Sequence, residues 1–192
     1  MRVIPVSTQA LLEAKTLVTR DFMRITGRVR ETGEPITEAF WSDVGNVNAQ
    51  VMDADSGLAV GYDFQGVGSL IAIDPIPMVS NLTVQEVEVK FSQLDDRINE
   101  LLRVYDVRQA KVEIYRGEFD PETMRMVEPA GSRFVGFVDG APVEPPAEGQ
   151  EGSVSIKCVS SAQELTRGNP DMRSHESQQS RDPEDDFYRD VT

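Results

Sequence analysis

Strict alternation marks the clearest element of the chain. In VQEVEVKF, Val87, Val89 and Phe91 point one way, while Glu86, Glu88 and Lys90 point the other. A period of two with one apolar face predicts a half-buried β-strand. The run leads into SQLDDRINELLRVYD, where Leu94, Ile98, Leu101, Leu102 and Tyr105 recur at helical spacing. Ser92 and Asp95 stand at capping-box spacing ahead of that stripe. Further strands are predicted over KVEIY, with Val112 and Ile114 inward, over RFVGFVDG, and over SVSIKCV, with Val154, Ile156 and Cys158 on one face. AQELTR adds a short helical turn.

The region before residue 78 is less regular. STQALLEAKTLVT places Ala10, Leu11, Ala14, Leu17 and Val18 on one helical stripe, with Ser7 or Thr8 to cap its start. This apolar face needs covering, by its own domain or by another subunit. After Arg20 the texture becomes strand-like: DFMRITGRVR, Phe40 and Trp41 after a Gly-Glu-Pro turn, NAQVMDADSGLAVGYDF, and GSLIAIDPIPMV. Ala54-Asp55-Ser56-Gly57 reads as a hairpin tip. About eight to ten short strands with two helices predict a mainly β (α+β) fold, antiparallel and partly barrel-like. A soft boundary near Pro75–Asn81 divides it into 1–78, an N-terminal helix with a β subdomain, and 79–167, a β subdomain with an inserted helix.

Residues 168–192, GNPDMRSHESQQSRDPEDDFYRDVT, are almost devoid of aliphatic side chains and build no core alone. They are expected to form an extended arm. Arg173, Arg181 and Arg189 are forked donors, Gln178 and Gln179 suit strand-edge amides, and Phe187 and Tyr188 are candidate aromatic anchors.

Charge narrows the function. The 192 residues carry a formal net charge of −14. That argues against direct nucleic-acid binding, which needs clustered Lys and Arg, and suits a basic partner or high solubility. No apolar run approaches the roughly 18 residues of a membrane span, and no signal peptide is read at the start. One cysteine, Cys158, excludes an internal disulfide framework. It shares the inward phase of its strand and reads as a core thiol. One histidine, His175, argues against a His-rich metal site or a catalytic triad within the folded body.

The remaining chemical patterns are weak. Asp53-Ala-Asp55-Ser-Gly57 imitates a calcium loop, but its glycine comes one ligand too early and Phe64 stands where the distant glutamate belongs. A hairpin turn explains it better. Gly66-Val-Gly68 lacks the third glycine and the Lys-Ser/Thr ending of a phosphate loop. The carboxylate groups Asp95-Asp96, Glu184-Asp185-Asp186 and Glu86/Glu88 are adjacent or alternate with solvent, and do not face one another across a cleft. Trp41 with Phe40, and Tyr62 with Phe64, are the candidate aromatics for a carbohydrate groove, and both pairs read as partly buried strand residues.

The succession VQEVEVKFSQLDDRINELLRVYDVRQAKVEIYRGEFDP, RFVGFVDG, SVSIKCVSSAQELTR and RSHESQQSRDPEDDFY resembles the baseplate-hub (tail-tip hub) proteins of long-tailed, siphovirus-like phages and gene transfer agents. The resemblance covers roughly residues 75–192. Arg173-Ser174, Gln178, Arg181, Pro183, Asp186 and Phe187 match the family's C-terminal signature best. It implies a non-enzymatic structural protein of the virion, made in the host bacterial cytoplasm and built from tail-tube-type β domains. Such a protein forms a ring, a trimer by preference and a hexamer otherwise, between the distal tail protein and the central tip or fibre protein. The arm residues Arg173, Ser174, Gln178, Arg181, Asp186, Phe187 and Tyr188, and Leu11, Leu17 and Val18 of the N-terminal helix, are then expected at interfaces. Some family members carry a cysteine-rich iron–sulfur module; here Cys158 stands alone, so no cofactor is carried over. The modest length keeps the distal tail protein as the alternative within this class, and a carbohydrate- or receptor-binding β module as the alternative outside it.

Overall fold

A computed structural model describes residues 6–67, 70–77, 83–92, 96–144, 153–166, 168, 174–187 and 189. Its elements are, in chain order, α1 (Val6–Ala14), β1 (Val18–Val29), β2 (Pro35–Trp41), β3 (Val44–Met52), β4 (Ala59–Val67), β5 (Leu70–Ile73), β6 (Glu86–Ser92), α2 (Asp96–Arg103), β7 (Tyr105–Phe119), β8 (Gly131–Gly140), β9 (Val143–Glu144), β10 (Ser153–Ser160), a 3₁₀ helix (Ser161–Thr166) and α3 (His175–Gln179). The fold is mainly β.

The strands form one sheet in the order β3-β4-β2-β1-β7-β8-β10-β6-β5, with β9 pairing β10 beyond the end of β8. Among the described residues, every pairing between these strands is antiparallel except one parallel pair, Phe40↔Gln65, between β2 and β4. The path does not close. Register shifts interrupt it between Thr26 and Arg28, Ile114 and Tyr115, and Lys157 and Cys158. Such bulges deepen the local right-handed twist, and the sheet rolls over on itself until Phe40 of β2 packs against Phe91 of β6, ring centroids 5.7 Å apart.

The roll encloses the larger core. Met23, Ile25 and Phe40 meet Val89, Phe91, Val112, Ile114, Ile156 and Cys158 there, so residues from both sides of position 78 share one interior. Helix α2 plugs it with Ile98 and Leu101. Asp96 in its first turn and Arg103 in its last complement the helix dipole. The opposite face of β1 and β7 carries a second core, in which Phe22, Tyr115 and Phe119 are covered by Ala49, Val51 and Phe64 of the β3–β4 hairpin. Phe22 stacks on Trp41 (5.9 Å) and meets Phe64 edge-on (4.8 Å). An isolated bridge, Val51↔Ala130, fastens the hairpin to the chain just before β8.

Three sequence expectations need correction. The N-terminal helix ends at Ala14, so Leu17 and Val18 are not part of it: Leu17 lies in the link, and Val18 opens β1 opposite Phe119. The stop is a Schellman cap, with Lys15 at φ 57°, Lys15 N–H donating to Leu12 O and Thr16 N–H to Leu11 O. Ser7 and Thr8 sit inside the first turn and do not cap it. Thr8 is buried, whereas Ala10 and Ala14 of the expected inward stripe are exposed. Finally, Tyr105 begins β7 rather than ending α2. Asp95, of the expected capping box, lies outside the described residues. The 3₁₀ helix stands where a short turn was expected, and 54–57 form the tip of the β3–β4 hairpin.

Candidate functional site

On the second-core face, Arg24 of β1 and Glu113 of β7 are direct register partners. Arg24 Nη1 donates to Glu113 Oε2 at 2.8 Å, and both side chains are withdrawn from water. The guanidinium also lies 3.8 Å above the Tyr62 ring, a cation–π contact. Lys111, two residues from Glu113 on the same face, holds its Nζ 2.6 Å from Asp55 Oδ2 and 3.0 Å from Glu113 Oε1. The hairpin tip supplies Asp55: Asp53 Oδ2 accepts from Ser56 N–H (2.9 Å) and Oγ–H (2.8 Å), and Gly57 takes φ +67°. These bonds to Ser56 hold the Asp53 carboxyl below its usual range.

Carboxylate oxygens of Asp53, Asp55 and Glu113 thus lie within 4.8 Å of one another. The Lys111 ammonium contacts two of the three, so the chain itself supplies a cation there. Burial works against that charge, but the bonds to Asp55 and Glu113 outweigh it and raise the Lys111 pKa. The Tyr115 hydroxyl is buried beside Glu113, and desolvation together with that carboxylate pushes its pKa well up. At neutral pH the group offers a fixed acid–base lattice that fastens the hairpin tip to β7. The hairpin reading of 53–57 was made from sequence; the approach of Glu113, more than fifty residues away, had no sequence signal.

Gly66 belongs to β4, where a Cβ would collide with Asp43 O, the Trp41 indole nitrogen and Gly45 O. Close backbone approach accounts for this glycine. Trp41 Nε1 donates to Gly45 O at 2.7 Å. Both candidate groove pairs are therefore engaged internally: Phe40 and Phe64 are fully buried, Trp41 is held by Phe22 and Gly45, and Tyr62 by Arg24. Cys158 is fully buried, and desolvation pushes its thiol up to about 12.

The expected interface residues behave differently from this lattice. Ser174 N-caps α3, its Oγ accepting from Ser177 N–H at 3.2 Å. Gln178 is half-buried, and Arg181 is exposed with its N–H on Gln178 O. Asp186 gathers Arg189 Nη1 at 3.3 Å and His175 Nε2 at 4.0 Å. Phe187 is 76% exposed. Arg173 and Tyr188 lie outside the described residues. None of the described residues from 174 to 189 is buried. In α1, Leu11 is half-buried, while Val6 and Leu12 face solvent. Ser7 Oγ–H donates to Glu128 Oε1 at 2.6 Å and ties the helix to the 120–130 loop.

No protein-family model and no curated protein matches the chain. Among the described residues, no helix is long and apolar enough to cross a membrane.

Proposed function

We propose that this protein is a structural component of a phage-type tail tip: a hub ring that joins the distal tail end to the central tip or fibre protein. The observation that carries the reading is the state of residues 174–189. The described positions among them fold into a short capped helix and turns, none of them is fully buried, and Phe187 is 76% exposed on an acidic surface. An aromatic side chain held by local turns and largely exposed suits an anchor that is covered on assembly.

Two further features support it. Among the described residues the sheet ends at β5 without a further strand and at β3 with only the Val51↔Ala130 bridge beyond it, and unpaired strand edges are ready templates for a neighbouring chain. Helix α1 turns Val6 (83% exposed) and Leu12 outward. In a ring each subunit meets its neighbours through two different surfaces, and a chain with several uncovered elements fits that demand.

Cryo-electron microscopy of intact particles tests the reading by counting copies around the tail axis. Three copies against the central tip protein mean the hub. Six copies at the tube end mean the distal tail protein. Absence of this chain from the axis removes the tail-tip assignment and returns attention to a receptor-binding β module.

A further inference from the structure

Four arginines gather where β1 leaves β7. Arg28 stands opposite Asp106 in the register. Arg30 donates its N–H to Val104 O (3.2 Å) and its Nη2 to Leu102 O (3.3 Å). Arg103 closes α2, and Arg108 lies on β7 just beyond Val107. All four are exposed. Four other cations of β1 and β7 are matched with carboxylates: Arg20 with Asp43, Arg24 with Glu113, Lys111 with Asp55, Arg116 with Asp21. Among the described residues, none of the four arginines has a carboxylate within ion-pair distance. In a chain of net charge −14, an unmatched basic corner invites an anionic partner.

The corner has shape as well as charge. Arg30 and Arg108 flank a cleft of about 630 Å³, with Leu102, Ala141 and Pro142 as its accessible apolar wall above the buried Val107 and Val138. Its lining includes one carboxylate, Asp139, and no aromatic ring. An inorganic anion would use the arginines and waste the wall. A nucleic acid would meet no stacking surface there and repulsion from the rest of the chain. A short acidic peptide ending in a large apolar side chain would use both parts.

This chain carries such a peptide. Asp182, Glu184, Asp185 and Asp186 precede Phe187, and the turns Asp185 N–H to Asp182 O (3.0 Å) and Phe187 N–H to Asp185 Oδ1 (2.9 Å) pre-form it. We propose that the Arg30–Arg108 cleft receives the Asp182–Phe187 segment of a second copy, carboxylates against the two guanidinium groups and the Phe187 ring on the Leu102–Pro142 wall. The proposal deepens the reading of 168–192 as a contact arm and rests on it. The exposure of Phe187 in the single chain shows that the segment does not fill its own cleft. A knob and a hole on different surfaces of one chain generate a head-to-tail ring or filament. The repulsion between two acidic subunits is screened beyond about 8 Å at physiological salt, so the local match governs the contact.

The test is a titration of full-length protein, kept dilute, into a fluorescein-labelled peptide of residues 180–189. Saturable binding is expected. It should weaken at least about tenfold with Arg30→Glu/Arg108→Glu protein, and likewise with Phe187→Ala peptide, and should fall as salt rises from about 0.05 to about 0.5 M. The charge-exchanged combination, Arg30→Glu/Arg108→Glu protein with Glu184→Arg/Asp185→Arg peptide, should regain binding. A thermal melt confirms that the exposed-arginine variant folds, and the peptide variants need no folding. No saturable binding up to about 1 mM, or indifference to either the arginine changes or Phe187→Ala, overturns the proposal. A ring counted in particles alongside a negative titration would remove this contact and leave the tail-tip reading intact. A positive titration without axial density would do the reverse.

Discussion

The rings of Phe40 and Phe91 meet edge-on at 5.7 Å although four strands, β1, β7, β8 and β10, lie between β2 and β6 in the sheet. Both are fully buried. Side-chain packing, not a backbone ladder, therefore holds the roll shut at this point. Phe91→Ala removes the ring contact and leaves a cavity in the larger core, and should cost about 3–5 kcal/mol. Urea unfolding at neutral pH measures it. A loss below about 1 kcal/mol would show that the roll is held elsewhere.

Arg24 and Glu113 form a buried pair whose partners cannot be removed singly without consequence. Arg24→Leu strands the Glu113 carboxylate next to Lys111 alone and should cost about 3–5 kcal/mol. Arg24→Leu/Glu113→Leu should recover a large part of that loss, because replacing both charges avoids an unmatched one. A double-mutant cycle by chemical denaturation separates the two cases. Additive losses would contradict the pairing.

Glu38 gives stability a pH dependence of unusual sign. Desolvation by burial raises its pKa, Arg97 opposes, and Glu100 adds to the rise. A carboxyl whose folded pKa lies above its unfolded one, about 4.3, favours folding fully below that unfolded value, and the contribution is lost as pH rises through the folded pKa. Glu38→Gln should therefore stabilise the protein at neutral pH, and its advantage should vanish in acid. Asp43 and Asp120 act oppositely: a side-chain bond from Arg20 and the Glu122 backbone N–H, respectively, lower their pKa values. Their contribution is present above the unfolded aspartate pKa, about 3.9, and is lost as pH falls through the folded value. Denaturation midpoints of the wild type and Glu38→Gln from pH 3 to pH 8 would expose both arms.

The Cys158 thiol, buried and pushed up to about 12, should resist alkylation in the native protein at pH 8. Its labelling rate should follow global unfolding, rising with urea along the unfolding curve. Prompt labelling of folded protein would mean that β10 opens locally.

Deletion of residues 168–192 should leave the unfolding midpoint almost unchanged, since no described residue from 174 to 189 is buried. The same truncation should stop assembly into particles. Infectious particles carrying the shortened chain would rule out the arm as a contact.

Legibility followed burial. Strand β6, with one wet face, was visible by the alternation of Val87, Val89 and Phe91; β10 was visible because Val154, Ile156 and Cys158 alternate with Ser155 and Lys157, although Ser155 is buried as well. Strand β7 was readable only over KVEIY; the burial of Glu113 on its second face carried no signal, and Tyr105 at its start continues the helical spacing of Leu101. The N-terminal helix was overextended because Leu17 and Val18 continue the helical spacing, while a left-handed Lys15 ends it without any glycine to announce the stop. The acid–base lattice stayed hidden because Asp55 reaches Lys111 and Glu113 only when the hairpin folds over β7. The basic corner combines residues from β1, α2 and β7 that sequence distance keeps apart.

Strands β1 and β7 wall both cores, one on each face. Neither interior can melt without stripping the backing from the other. Heat or force therefore meets a single cooperative unit, and a subunit built in this way passes load from one side of its sheet to the other without a weak half.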